Sequence, residues 1–360
     1  MQVHIPINSP KLGTLQSEAE DSLFTLLNLN PHCKNDKERL EKERTAIWAK
    51  VELLMKLHPS SFCRKYKFKS WKYELHPMGM LFALKASEDI IKTAYEVFPE
   101  AAKDAFAVAC FYDVDFDLIK WLYNKAPEVV KWKDQMNNLP LHMAARREPS
   151  CLRTVKFLYQ YHPAALLCKN ENGSTPLHWA FYYSSLAIVK FLMEKSKADA
   201  VQKENNFKKT PLHYASIRNK HKEVPEFVAT KYPDFLKKPR SSDGQLPLHV
   251  ACASCLSIIG AQVLLEHYPD AAKQKDKQGK LPLALVCKNK YLKQEEVLDL
   301  IELLVRIYPE AVDVEDNDGD KAIDLETYGR LVKHMAKQPR AKKRRIHYNI
   351  DGEEPGCLAW

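Results

Sequence analysis

One motif recurs at a nearly constant step along the chain. It appears as NNLPLHMAA, GSTPLHWAF, KKTPLHYAS and GQLPLHVAC, then in degenerate form as QGKLPLALVC, with prolines at 140, 176, 211, 247 and 282. The spacings are 36, 35, 36 and 35 residues. A period this regular constrains the fold more than any local propensity, because each unit is too small to bury its apolar face alone and needs a neighbour. A second marker runs in phase, an apolar helix stopped by an aromatic or His before Pro: VKFLYQYHP to Pro163, EFVATKYP to Pro233, VLLEHYP to Pro269 and IELLVRIYP to Pro309. The unit that starts at Pro176 breaks this second pattern, ending in MEKSK without a proline.

The local physics gives each unit two helices. The repeated Pro suits the first helical position, where its missing N–H has no intrahelical partner to lose. Segments such as CLRTVKFLYQY and SLAIVKFLMEK place apolar residues at helical spacing, and the following proline ends the second helix. Links such as KNENGS and KDKQGK hold Asx three residues before Gly, which predicts a tight hairpin-like finger between helix pairs. Thr precedes the helix at Thr175 and Thr210, whereas Leu139, Leu246 and Leu281 replace it. Those three helices lose a side-chain N-cap, about 1 kcal/mol each unless something replaces it.

The four P-L-H-x-A copies resemble the ankyrin repeat, whose units pair a turn with two helices at a similar period. The resemblance implies an all-α, ankyrin-type helical repeat solenoid with short hairpin fingers, about seven repeats including caps. AFAVACFYDVDFDLIKWLYNKAP, ending at Pro127, and GMLFALKASEDIIKTAYEVFP, ending at Pro99, fit two earlier units. The step between them, Gly79 to Ala105, is only 26 residues, so a finger is expected to be missing near Ala101 to Asp104. VELLMKLHP, ending at Pro59, reads as the outer helix of a capping unit. The expected divisions are a divergent helical cap with a basic, aromatic finger over 1–73, the repeat array over 74–337, and a basic, unstructured tail over 338–360.

By the same resemblance, His142, His178, His213 and His249 hold the turn against the helix in each unit. A group repeated four times at one station is structural, so no catalytic residue is expected among them. The resemblance also implies that the two residues after each inner-helix Ala-Ala station face a concave binding surface. Those pairs are Phe111 and Tyr112, Arg146 and Arg147, Tyr182 and Tyr183, and Ile217 and Arg218; the next, Ala253 and Ser254, is small. Aromatics and arginines dominate binding hot spots, so the richer stretch is the expected partner-binding strip, with Met136 and Phe207 added from the fingers. Trp179 and Tyr214, at the x of P-L-H-x-A, are expected to pack between repeats.

The formal charge is +9, but RKYKFKSWKY (64–73) carries five positive charges and LVKHMAKQPRAKKRR (331–345) seven, and the rest of the chain sums to −3. The first segment alternates aromatics with lysines, so a nuclear, nucleic-acid-contacting regulator acting through 64–73 and 331–345 is the alternative to a protein-interaction scaffold. The bland reading of RKYKFKSWKY is a finger whose aromatics cover helices while its lysines stay in water. Arg340, Lys342, Lys343, Arg344 and Arg345 form a candidate nuclear-import run. The chain ends CLAW, formally a prenylation motif at Cys357 but with an atypical final Trp.

No apolar run is long enough to span a membrane, and the start MQVHIPINSPKLG has no signal-peptide character, so a cytoplasmic or nuclear monomer is expected. The H-x-x-C-x-x-C run of His249, Cys252 and Cys255 lacks a fourth ligand for zinc, and Cys252 sits at a packing station shared with Cys110 and Cys287. No phosphate loop, nucleophile elbow or zinc-protease motif occurs. The expectation is therefore a non-enzymatic protein with no metal and no cofactor, bound to a protein partner that the sequence does not identify.

Overall fold

A computed structural model describes residues 10–29, 33–68, 74–112, 114–146, 152–196, 198–217, 222–254, 258–288 and 295–323, with residues 329 and 333. Arg147, Arg218, Cys255, Cys357, the import run and nearly all of 331–345 lie outside these residues. The described residues fall into two compact units, Met1–Ala180 with Lys190–Lys197, and Phe181–Val189 with Ala198–Trp360.

In the first unit, α1 (Pro10–Leu27) and α2 (Lys34–Leu57) precede the helix pairs α3 (Pro77–Ala83) and α4 (Glu88–Val97), α5 (Ala102–Phe111) and α6 (Phe116–Lys125), and α7 (Pro140–Ala145) and α8 (Leu152–Tyr161). The inner helices α3, α5 and α7 stack in series, while α1 lies on α3 and α2 on α4, so this cap supplies one more helix pair. Phe62, Phe82 and Phe106 are among the fully buried side chains between these layers. The chain crosses between units within α9 (Pro176–Tyr183) and α10 (Leu186–Lys195).

The second unit continues with α11 (Pro211–Ile217), α12 (Glu223–Lys231), a one-turn α13 (Pro233–Leu236), α14 (Pro247–Ser254), α15 (Ile258–His267), α16 (Pro282–Cys287) and α17 (Glu295–Ile307). Its inner stack is α11, α14 and α16, and its outer stack is α12, α15 and α17. Gly260 lets α15 press against α11, since a Cβ there would stand 2.5 Å from the Ser216 carbonyl oxygen.

Each repeated Pro opens an inner helix, and the prolines that end outer helices start short 3₁₀ turns such as Pro127–Lys131, Pro163–Leu167 and Pro269–Lys273. Fingers then fold by one device. Asp134, Asn170, Asn205, Asp276 and Asp316 each accept, through one side-chain oxygen, the N–H groups two and four residues ahead, at 2.8–3.1 Å. Three residues past that station the backbone takes positive φ at Asn137, Gly173, Lys208, Gly279 and Gly319. The finger before α14 carries one extra residue and an Arg at the station; Arg240 there grips Asp243, whose carboxylate caps the Gln245 N–H instead. One finger is absent, because the turn Pro99–Ala101 runs directly into α5 at Ala102.

Candidate functional site

The P-L-H-x-A motif builds a polar clamp inside each unit. Leu139, Thr175, Thr210 and Leu246 donate their N–H groups to Nδ1 of His142, His178, His213 and His249, at 3.0–3.2 Å. This is the reciprocal half of a capping box, and it serves the two Leu positions as well as the two Thr positions. A lone pair on Nδ1 leaves the proton on Nε2, which in His142 donates to the Ser174 carbonyl and in His249 to the Lys280 carbonyl, both at 3.2 Å. Burial holds His142 in the neutral form, down to about 4, against the pull of the carbonyls it bonds. His249 is shifted down for the same reason. Leu281 has no such partner, because Ala284 stands where the others have His.

Exposure at the inner-helix ends differs from one repeat to the next. In the first unit, Phe111 is half-buried at the end of α5, while Tyr112 turns inward and is 7% exposed, with burial raising its phenol to about 12. Arg146, exposed just past α7, lies with its guanidinium carbon 5.7 Å from the Phe111 ring centroid and 5.2 Å from that of Trp179. Phe111, Arg146 and Trp179 thus form a stacked ladder in which the cation meets two ring faces. Met136 is half-buried at a fingertip, its carbonyl accepting the Glu171 N–H at 2.9 Å.

In the second unit, Tyr182 and Tyr183 are half-buried and meet edge to face at 4.5 Å, and Tyr182 meets Tyr214 at 5.4 Å. Asn205 Nδ2 donates to the Tyr214 hydroxyl at 3.0 Å, fixing that ring to the adjacent finger. Phe207, 58% exposed, stands at the tip of the same finger. Ile217 remains within α11 and is only 4% exposed. Tyr112 and Ile217 therefore offer almost no surface, in contrast to the sequence expectation, whereas Trp179 and Tyr214, both half-buried, meet Arg146 and Tyr182 of the preceding repeats, as their motif position implies.

Of the four aromatics of RKYKFKSWKY, Trp71 and Tyr73 lie outside the described residues, and Tyr66 and Phe68 turn toward the cap. Phe68 is 1% exposed, and Phe24 lies 5.8 Å from its ring and 6.1 Å from that of Tyr66, whose hydroxyl donates to the Ser61 carbonyl. Lys65 and Lys67 stay at the surface, Lys65 paired with Asp104 at 2.8 Å, so the described part of this segment has covered aromatics with its lysines outside them. Cys110, Cys252 and Cys287 are buried. Among the described residues, no group of three or more His, Cys, Asp or Glu is placed to hold a metal, and no helix is long and apolar enough to cross a membrane.

A family model described as ankyrin repeats, three copies, matches residues 105–204 and 151–238. The protein described as "Probable 26S proteasome regulatory subunit p28" from Saccharomyces cerevisiae is 30% identical over 227 residues, 60% of this chain and 90% of the yeast protein. Among solved structures, the ankyrin repeat domain of Bcl-3, a member of the IkappaB protein family, aligns with TM-score 0.46 and 17% identity over 64% of this chain and 97% of that one. A second, from the complex of the Bd0816 predatory endopeptidase of Bdellovibrio bacteriovorus with immunity protein Bd3460, aligns with TM-score 0.42 and 21% identity over 57% of this chain and 100% of that one.

Proposed function

This chain belongs to the ankyrin-repeat family, a fold of protein-interaction modules, and we propose that it is a non-enzymatic scaffold that binds its partner along the inner-helix ends. The observation that carries this reading is that each unit presents its own aromatic and Arg side chains at its inner-helix ends: Phe111, Arg146 and Trp179 in one, Tyr182, Tyr183 and Tyr214 in the other. Half-buried rings held in place by neighbours lose little conformational freedom on binding, which is the property of hot-spot residues. Phe207 and Met136 extend the surface onto the fingers. Arg147 and Arg218 belong to the same proposed strip by sequence.

The test is a paired capture experiment. Wild-type protein and the Tyr182→Ala, Tyr183→Ala double variant are immobilised, exposed to lysate of the source cell, and compared by quantitative mass spectrometry. The expected result is a specific partner whose binding is weakened by more than about 1 kcal/mol in the variant, with unchanged circular dichroism. Equal recovery of the same proteins by both would remove the strip from the interface.

The yeast relative makes the 26S proteasome the first partner to look for, since 90% of that protein aligns here. A cytoplasmic or nuclear location accompanies that reading. It requires that tagged chain co-purify with proteasome subunits, and absence of these from a capture that retains other specific partners would refute it.

A further inference from the structure

We propose that the outer face of α6 and α8 is a second interaction surface, which takes an acidic segment of a partner protein with apolar side chains among its carboxylates. The pattern emerges by counting back from the proline that ends each outer helix. Seven residues before it stand Lys92, Lys120 and Lys156 in the first unit, but Glu226, Gln262 and Glu302 in the second. Four residues before it stand Tyr95, Tyr123 and Tyr159 in the first unit, but Ala229, Leu265 and Val305 in the second. Aliphatic side chains thus suffice to cover an outer helix at that station, where Ala229 and Leu265 are buried. The first unit uses half-buried tyrosines instead, and each reaches across to the next outer helix. Tyr95 meets Trp121 at 5.4 Å, Tyr123 meets Phe157 at 5.2 Å and Tyr159 meets Phe191 at 5.7 Å, all edge to face.

The rings gather most densely between α6 and α8. Phe116 and Tyr123 of α6 meet Phe157 and Tyr161 of α8 at 4.5–5.5 Å, and Tyr161 is 43% exposed. Arg153, exposed, stacks on Phe116 with its guanidinium carbon 4.0 Å from the ring centroid. A guanidinium held flat on a ring still offers its N–H edge to a carboxylate. Lys120 shares the face of α6 that carries Phe116 and Tyr123, and Lys156 follows Arg153 by one turn. Arg153 lies a loose 4.0 Å from Asp117, while Lys120 and Lys156 are exposed and make no ion pair among the described residues. Charge selects the occupant. α6 and α8 carry Lys120, Lys125, Arg153 and Lys156 against Asp117 and the N-cap Asp115. The outer helices α12, α15 and α17 carry seven carboxylates and, besides His267, two cations. The basic, aromatic face is therefore particular to the first unit, and it complements a ligand that mixes carboxylates with apolar side chains. Phe157 is buried and Tyr123 closes on it, so the bed lacks the open ring faces on which successive nucleic-acid bases stack.

This surface shares no residue with the inner-helix strip, so the two are tested separately. Random dodecamer peptides displayed on phage are selected on the full-length chain after depletion on the Lys120→Gln, Arg153→Gln, Lys156→Gln variant, which removes peptides held by the strip or by basic segments elsewhere. Enriched peptides are then synthesised and titrated by fluorescence anisotropy. They should combine Asp or Glu with aromatic or aliphatic residues and weaken as salt rises. Their binding should fall about tenfold on Tyr161→Ala, and about tenfold when their own carboxylates are replaced by amides. Binding to the Tyr182→Ala, Tyr183→Ala variant should be unchanged. All four substituted side chains on this face are exposed, and equal melting temperatures check that the fold is kept. A selection that enriches nothing, enriched peptides that are neutral or basic, or binding to Tyr161→Ala within about twofold of wild type would overturn the proposal. So would a fluorescent oligothymidylate that binds wild type but not the triple variant, which would make the occupant a nucleic acid. A wild-type dimer in sedimentation that the triple variant dissolves would equally overturn it, by placing a second copy on the face.

Discussion

Replacing His142 with Gln isolates the energetic cost of a protonatable group at the centre of a repeat junction. Gln at this third helical position keeps an acceptor for the Leu139 N–H and a donor for the Ser174 carbonyl, but it does not titrate in the acid range. In the native protein, burial lowers His142 from the ordinary 6.5 to about 4. The unfolded chain therefore takes up a proton before the folded one does. Stability from this site is complete above about pH 6.5, declines as the pH falls, and levels off near pH 4. Integrated from neutral pH down to pH 5, the loss is about 2 kcal/mol, and the full shift corresponds to about 3 kcal/mol.

The assay is urea unfolding of the full chain followed by tryptophan fluorescence, for wild type and His142→Gln, at pH 7.5, 6.5, 5.5 and 5.0. Whatever the substitution costs at pH 7.5, the stability gap between the two proteins should move in favour of the variant by about 2 kcal/mol at pH 5. His249, also lowered by burial, titrates in both proteins and cancels in the comparison. A gap that stays constant within about 0.5 kcal/mol from pH 7.5 to 5.0 would show that the imidazole is hydrated or protonated in the folded state, and would refute the buried neutral clamp.

Two further outcomes follow from backbone geometry in the second unit. Gly260→Ala should destabilise by about 2 kcal/mol in thermal or urea unfolding, because its Cβ would meet the Ser216 carbonyl oxygen at 2.5 Å and backbone must move. Lys208→Gly should stabilise by about 0.5–1 kcal/mol, since Lys208 holds φ +56° in a finger where other units use Gly; unchanged stability would mean that its side chain contributes as much as the strain costs.

Much of the fold was legible because the proline period marks where each inner helix begins. Pro140, Pro176, Pro211, Pro247 and Pro282 all open helices, and the 26-residue step between Gly79 and Ala105 announced the missing finger. Helix ends were less legible. Phe111 closes α5 and Ile217 closes α11 at the same repeat station, yet Phe111 is half-buried and Ile217 is only 4% exposed. The same sequence station therefore faces outward in one unit and inward in another, because end geometry depends on packing rather than on period. Trp179 and Tyr214 were legible, because their motif position directs each ring toward the preceding repeat, where they meet Arg146 and Tyr182.

Where His142 and His249 stand, one ring fastens its own helix with one nitrogen and the next finger with the other. α16 has Ala284 there, and the hold on the following finger passes to Lys288, whose Nζ lies 2.9 Å from Asp320 and 3.7 Å from Asp316. A buried neutral link is indifferent to ionic strength, whereas an exposed ammonium-carboxylate pair is screened by it. The 316–320 finger thus adds, to the neutral bonds from Asn317 to the preceding finger, an ionic hold whose share alone weakens as salt rises.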